Sequence, residues 1–175
     1  SYSGTPFTLT KGTAMTAVTP SASGGAVDTW SISSTLPAGL SFDTSTGKIS
    51  GTPTAISSSP TYTITATNTG GSSTASVTIT VNDVAPSIAY SGSPFTLTKG
   101  NALSTVAPTT SGGTVATWSV SPTLPAGLTF DTSNGEISGT PTAITSSATY
   151  TITATNTGGS DTATITIVVN DAAPV

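Results

Sequence analysis

The chain has 175 residues, three lysines, seven acidic residues, neither histidine nor cysteine, and a net charge of −4. Side chains for acid–base, thiolate or zinc chemistry are almost lacking, which argues against an enzyme, and the lack of cysteine rules out a disulfide framework. No basic cluster offers nucleic acid or an anionic membrane a hold, and no stretch approaches the roughly 18 apolar residues of a spanning helix.

Ser and Thr account for 69 residues, a bias that signals disorder only when the apolar residues are scattered. Here they alternate, so the chain is expected to fold. Phe7 with Leu9, Met15 with Val18, and Val27 with Trp30 and Ile32 mark short strands between Gly, Pro and Ser punctuation. Leu36-Pro37-Ala38-Gly39-Leu40 reads as a turn between apolar anchors, after which Phe42 points inward. Asp43 then opens Asp-Thr-Ser-Thr-Gly, where a carboxylate can accept backbone N–H bonds two and three residues on and Gly47 closes the loop with positive φ. Ile49 returns to the core and Pro53 ends that strand. In Thr61–Thr67, Tyr62, Ile64 and Ala66 share one face and Thr lines the other. Asn68-Thr69-Gly70-Gly71-Ser72 turns this strand into a second, Ala75 to Val81. Nothing has helical period.

The same text then repeats. Tyr2, Trp30, Pro37, Tyr62 and Asp83 recur 88 residues later as Tyr90, Trp118, Pro125, Tyr150 and Asp171, without insertion, and 63 of 87 aligned positions are identical. About seven short strands per copy, with frequent turn signals, predict an all-β chain of two tandem β-sandwiches of immunoglobulin-like or cadherin-like type. The expected boundaries are 1–83 for the first sandwich and 84–171 for the second, with 172–175 starting a further linker or strand. The closing Ala-Ala-Pro-Val copies Val84-Ala85-Pro86-Ser87, so the chain reads as an internal slice of a longer array. Trp30, Phe42, Tyr62, Trp118, Phe130 and Tyr150 are the expected core aromatics, and Asp43, Gly47, Asp131 and Gly135 the expected turn formers.

The string LPAGLxFDxxxGxISGTPT followed by TYTITATN resembles the immunoglobulin-like repeat of large bacterial surface proteins, related to the cadherin-like domain of dystroglycan type. The resemblance covers nearly all of both copies. It implies tandem sandwiches on a secreted or anchored protein, with adhesive or spacer roles.

Rival chemistries attach to a few residues. Phe-Asp-Thr-Ser, present twice, also resembles an aspartic protease signature, which would pair Asp43 with Asp131 across a cleft. Tandem copies joined by Asn82-Asp83-Val84-Ala85-Pro86 should lie end to end instead. Cadherin-type domains hold calcium between modules, and Asn82, Asp83, Asn170 and Asp171 match the Asn-Asp of that linker. Thr80 and Val168 replace its first Asp, Asn68 and Asn156 stand where an Asp would end the strand, and Gly51–Thr54 carries no acid. Calcium wants six to eight oxygens, several of them charged, so these are weak candidates. Lys11 and Lys99 could form a side-chain amide with an Asn only beside a buried carboxylate, and Lys-Gly more simply reads as an exposed turn. Thr61, Thr63, Thr65 and Thr67, beside Thr74, Ser76, Thr78 and Thr80, make a hydroxyl ladder that could bind sugars or ice but also suits any solvated strand. The expected function is a non-catalytic structural and adhesive module of an extracellular or cell-surface stalk or fibre. Its expected partners are neighbouring repeats, a head-to-tail copy, or a cell-surface glycan or protein.

Overall fold

The computed structural model describes residues 1–174 and contains only strands, turns and loops among them. The chain divides into two units, Ser1–Asp83 and the part from Val84 onward. In unit 1, β1 (Phe7–Thr10), β7 (Gly71–Asn82), β6 (Thr61–Asn68) and β3 (Thr29–Ile32) form one sheet in that order. β2 (Met15–Val18), β5 (Ile49–Gly51) and β4 (Leu40–Phe42) form the other. β6 and β7 make the expected hairpin, in register from Thr61 opposite Thr78 to Asn68 opposite Gly71.

The alternation in β6 and β7 fixes which faces meet. Tyr62, Ile64, Val77, Ile79 and Val81 are buried and close against Leu36 and Ile49, while Phe7, Leu9, Trp30 and Phe42 pack partly buried around them. This is a sandwich filled from both sheets. The first strand pairs with the last in parallel, Phe7 opposite Ile79 through Thr10 opposite Asn82, whereas the sheet's other pairings are antiparallel.

Unit 2 repeats the plan with β9 (Phe95–Thr98), β16 (Gly159–Asn170), β15 (Thr145–Asn156) and β12 (Thr117–Ser121) in one sheet. β10 (Leu103–Val106), β14 (Ile137–Gly139) and β13 (Leu128–Phe130) form the second. Trp118, Tyr150, Ile152, Ile165, Ile167 and Val169 are buried in its core, with Phe130 partly buried against them.

Two features go beyond the sequence reading. Pro86–Ala89, read as linker and lead-in, is a strand (β8) pairing antiparallel with a strand at Thr109–Gly112 (β11). The start of the hairpin also differs between units: β15 begins at Thr145 and pairs Ala148 with Ile167, whereas β6 begins only at Thr61. The residue matching Ala148 is Pro60, which lacks the N–H a ladder needs, so the Pro60 carbonyl accepts from Ile79 at 3.2 Å and an isolated bridge joins Ser57 to Val81.

Ile79→Ala should lower the stability of unit 1 by about 3 kcal/mol, the usual cost of emptying a fully buried aliphatic site. Denaturant unfolding of the full chain measures this, and a loss under about 1 kcal/mol would contradict the packing described.

Candidate functional site

The twice-written loop is the joint of each sandwich. Asp43 Oδ1 accepts the N–H of Ser45 at 2.8 Å and of Thr46 at 3.3 Å. The Asp43 carbonyl accepts from Gly47 N–H at 2.8 Å, and Asp43 N–H donates to Lys48 at 2.9 Å. Every bond of this turn serves to carry the chain from β4 into β5. The turn then reaches out of its own sheet. Thr44 accepts the Trp30 N–H at 3.0 Å, and the Gly47 carbonyl accepts the hydroxyl of Tyr2. Gly47 has φ near +70°, and a Cβ there would lie 2.7 Å from the Trp30 ring. Glycine is therefore needed twice, for the backbone angle and for the indole that rests on it.

Unit 2 rebuilds the joint around Asp131, whose Oδ1 accepts from Ser133 N–H at 2.8 Å and Ser133 Oγ at 2.6 Å. Tyr90 donates its hydroxyl to Gly135, and Trp118 covers that glycine. Tyr2 and Tyr90 are the residues that sequence reasoning recorded as repeated yet gave no role. The one signal was a tyrosine fixed at the same distance before each Asp loop.

These contacts set the titration of the groups. The Ser45 N–H and then the Thr46 hydroxyl hold Asp43 below its ordinary 3.8, and the Ser133 hydroxyl and N–H do the same for Asp131. Burial pushes the Tyr2 and Tyr90 hydroxyls up to about 12 from 10.0. A proton-sharing carboxylate pair carries one raised pKa. Here both are lowered by donors of their own loops, as turn acceptors are.

The linker residues serve the ends of the sandwiches. Asn82 O accepts Lys11 N–H at 2.9 Å, and Lys11 Nζ lies 3.6 Å from Asp83 Oδ1. Asn170 O accepts Lys99 N–H at 2.9 Å, and Asp171 Oδ1 accepts Ala172 N–H at 3.0 Å. Among the described residues no three acidic, His or Cys groups cluster to hold a metal. Asp83 faces an ammonium and Asp171 caps its own backbone. Lys11, 44% exposed, makes an ion pair with the Asp83 carboxylate, whose side chain is 14% exposed.

Asn68 and Asn156 act as clamps at the hairpin turn. Asn156 Nδ2 donates to Val84 O at 2.7 Å and Thr114 O at 3.2 Å, while its Oδ1 accepts Gly158 N–H at 2.8 Å. An Asp could accept but not donate, which accounts for the amide at this position. On the outer face, Thr61 and Thr78 hydroxyls meet at 3.0 Å across strands, and Thr63 and Thr67 are exposed.

The family model described as "Putative Ig domain" matches residues 1–82 and again 84–170. The chain belongs to this immunoglobulin-domain family. Its curated relatives include the "Serine-rich adhesin for platelets" of Staphylococcus aureus strain MRSA252, 39% identical over 137 residues, covering 74% of the chain and 10% of that protein. The protein of the same name from strain MW2 is also 39% identical, with 6% of its length covered. The chain thus spans a tenth or less of these relatives. Among solved structures, extracellular domains 3–5 of Drosophila OTK match with TM-score 0.57 and 19% identity over 97% of the chain and 61% of that one. A Dscam1 four-domain immunoglobulin fragment matches with TM-score 0.54 and 12% identity, covering 97% and 45%. At such identity these show the fold alone: tandem immunoglobulin-like sandwiches.

Gly47→Ala should destabilise unit 1 by about 2–4 kcal/mol, combining positive-φ strain with overpacking against Trp30; thermal unfolding reads it, and a neutral outcome would remove the glycine from the joint. The pH dependence follows from the shifts. Carboxylates with lowered folded pKa contribute stability above 3.8 that is lost as pH falls below it, whereas tyrosines raised to about 12 contribute stability below 10.0 that is lost as pH rises from 10 to 12. Asp43→Asn should shrink the acid limb and Tyr2→Phe the alkaline limb, as followed by unfolding midpoints across pH.

Proposed function

We propose that the chain is a load-bearing, non-catalytic segment of an extracellular adhesive protein, a set of repeats that holds a binding element away from the cell surface. The observation that carries this is the parallel pairing of a strand near the start of each unit with that unit's last strand, β1 with β7 and β9 with β16. When the two ends of such a unit are pulled apart, these strands slide past each other along their length. The ladder bonds are then strained together instead of opening one by one like a zipper. Geometry of this kind suits a tether.

Other features support the reading. Acids that could do chemistry are engaged as turn acceptors and caps, and the family includes repeats of proteins named as adhesins for platelets. The spacing role is assigned to these repeats and platelet binding is left to the relatives. Load resistance in this reading needs no calcium, since Lys11 faces Asp83 and the Asp171 carboxylate is taken by its own backbone.

Single-molecule force spectroscopy on the full chain tests it. Two unfolding events are expected, each releasing about 80–90 residues, or roughly 30 nm of chain, with forces unchanged by chelator. Lys11→Pro, which deletes the Lys11–Asn82 bond at the end of the β1–β7 ladder, should lower the force of one event and spare the other. Forces indistinguishable from background, or indifferent to that substitution, would defeat the tether reading.

A further inference from the structure

The Asp loop differs between the units at a position that changes its chemistry. Where unit 1 has Thr46-Gly47, unit 2 has Asn134-Gly135, the only Asn-Gly pair in the sequence. The side-chain amide of an asparagine is open to attack by the backbone nitrogen of the next residue. A glycine leaves that nitrogen unscreened, because it carries no Cβ. Asn134 is exposed to water, whereas Gly135 is buried.

The closed loop holds both reacting groups away from that reaction. The Gly135 N–H, which would have to give up its proton, donates to the Asp131 carbonyl at 2.8 Å. Asn134 Oδ1 accepts the Glu136 N–H at 3.0 Å, which keeps its side chain folded over the turn. The Gly135 carbonyl accepts the Tyr90 hydroxyl, and a Cβ on Gly135 would lie 2.7 Å from the Trp118 ring. Cyclisation requires the peptide between Asn134 and Gly135 to rotate, so the bonds of Gly135 to Asp131 and Tyr90 must break first.

We infer that Asn134 is a one-way deamidation site, inert while the joint beneath Trp118 is closed and reactive when it opens. Hydroxide takes the Gly135 N–H proton, and the nitrogen forms a bond to Asn134 Cγ. The bond from Cγ to Nδ2 breaks, and Nδ2 leaves as ammonia with a proton from water. Water then opens the cyclic imide at either carbonyl, giving an aspartate or a β-linked isoaspartate. The balance is amide plus water to carboxylate plus ammonium, with no change of oxidation state. The β-linked product inserts an extra backbone carbon just ahead of Gly135, so the glycine no longer reaches its place under Trp118 and the Tyr90 bond is not remade. A transient opening thereby becomes a lasting loosening of unit 2. Unit 1 is exempt, since Thr46 has no amide to lose. The inference is independent of the tether reading.

The test is peptide mapping by mass spectrometry of the full chain, kept in mildly alkaline buffer with and without urea. In urea, Asn134 should convert faster than any other asparagine. In the native chain its conversion should be at least about tenfold slower, because opening of the joint limits it. Hydrogen exchange of the Gly135 amide reads the same opening. Tyr90→Phe should raise both rates by a common factor of about fivefold to tenfold, the effect of losing one buried hydrogen bond, and Tyr2→Phe should change neither. After refolding, the isoaspartate-containing fraction should exchange its Gly135 amide rapidly while the Gly47 amide stays protected. Equal conversion with and without urea, earlier reaction at another asparagine, or faster Gly135 exchange in Tyr90→Phe without faster conversion would each overturn the site. Undiminished Gly135 protection in the isoaspartate fraction would overturn the lasting loosening. The comparison with and without urea uses the unaltered chain and does not depend on how any variant folds.

Discussion

Each unit hangs on one bond: a tyrosine hydroxyl donated to the carbonyl of a glycine that lies under a tryptophan ring. A sandwich of Ser- and Thr-rich strands has few large side chains with which to set the spacing of its sheets. The Asp loop, made rigid by its own carboxylate, provides a fixed platform, and the aromatic pair stacks on it and bonds to it. The distances of the two sheets and the direction in which β4 returns as β5 follow from that joint.

The alternation of Tyr62, Ile64 and Ala66 with threonine, and the Gly-Gly turn after Asn68, made the hairpin legible before any coordinates. So did the Asp-to-Gly spacing, because an Asx turn needs only local residues. The immunoglobulin-like fold follows from seven such strands and is the fold the family and the solved structures share. What stayed hidden depends on long-range partners. Pro86-Ser87-Ile88-Ala89 has a proline and only one large apolar residue, so nothing local marks it as a strand; its partners Thr109–Gly112 and Asp161 lie far along the chain. The bond of Tyr2 to Gly47 spans 45 residues and is equally silent in sequence.

Acids are scarce, and several have a structural post. Asp43 and Asp131 hold turns, Asp161 holds a strand, Asp83 meets a lysine and Asp171 caps a chain segment. Exposed ion pairs contribute little, about 0–1 kcal/mol. Stability must therefore come from the buried aliphatic layer, with the carboxylates contributing shape. A nearly uncharged surface rich in hydroxyls follows.

The two units carry an identical run from Thr61 to Gly71 and from Thr149 to Gly159, which includes the central strand of each main sheet and the tip of its hairpin. During folding, either copy of that run satisfies the neighbouring strands of either unit equally well at the level of side-chain pattern. Near-identical tandem domains are for this reason prone to exchange segments while unfolded. The flanks break the degeneracy: Pro60 against Ala148 dictates where the strand can begin, and Ser73 against Asp161 changes the charge met on the way back. Fidelity of assembly in such an array rests on a few border residues, a form of proofreading written into the sequence just outside its most repetitive part.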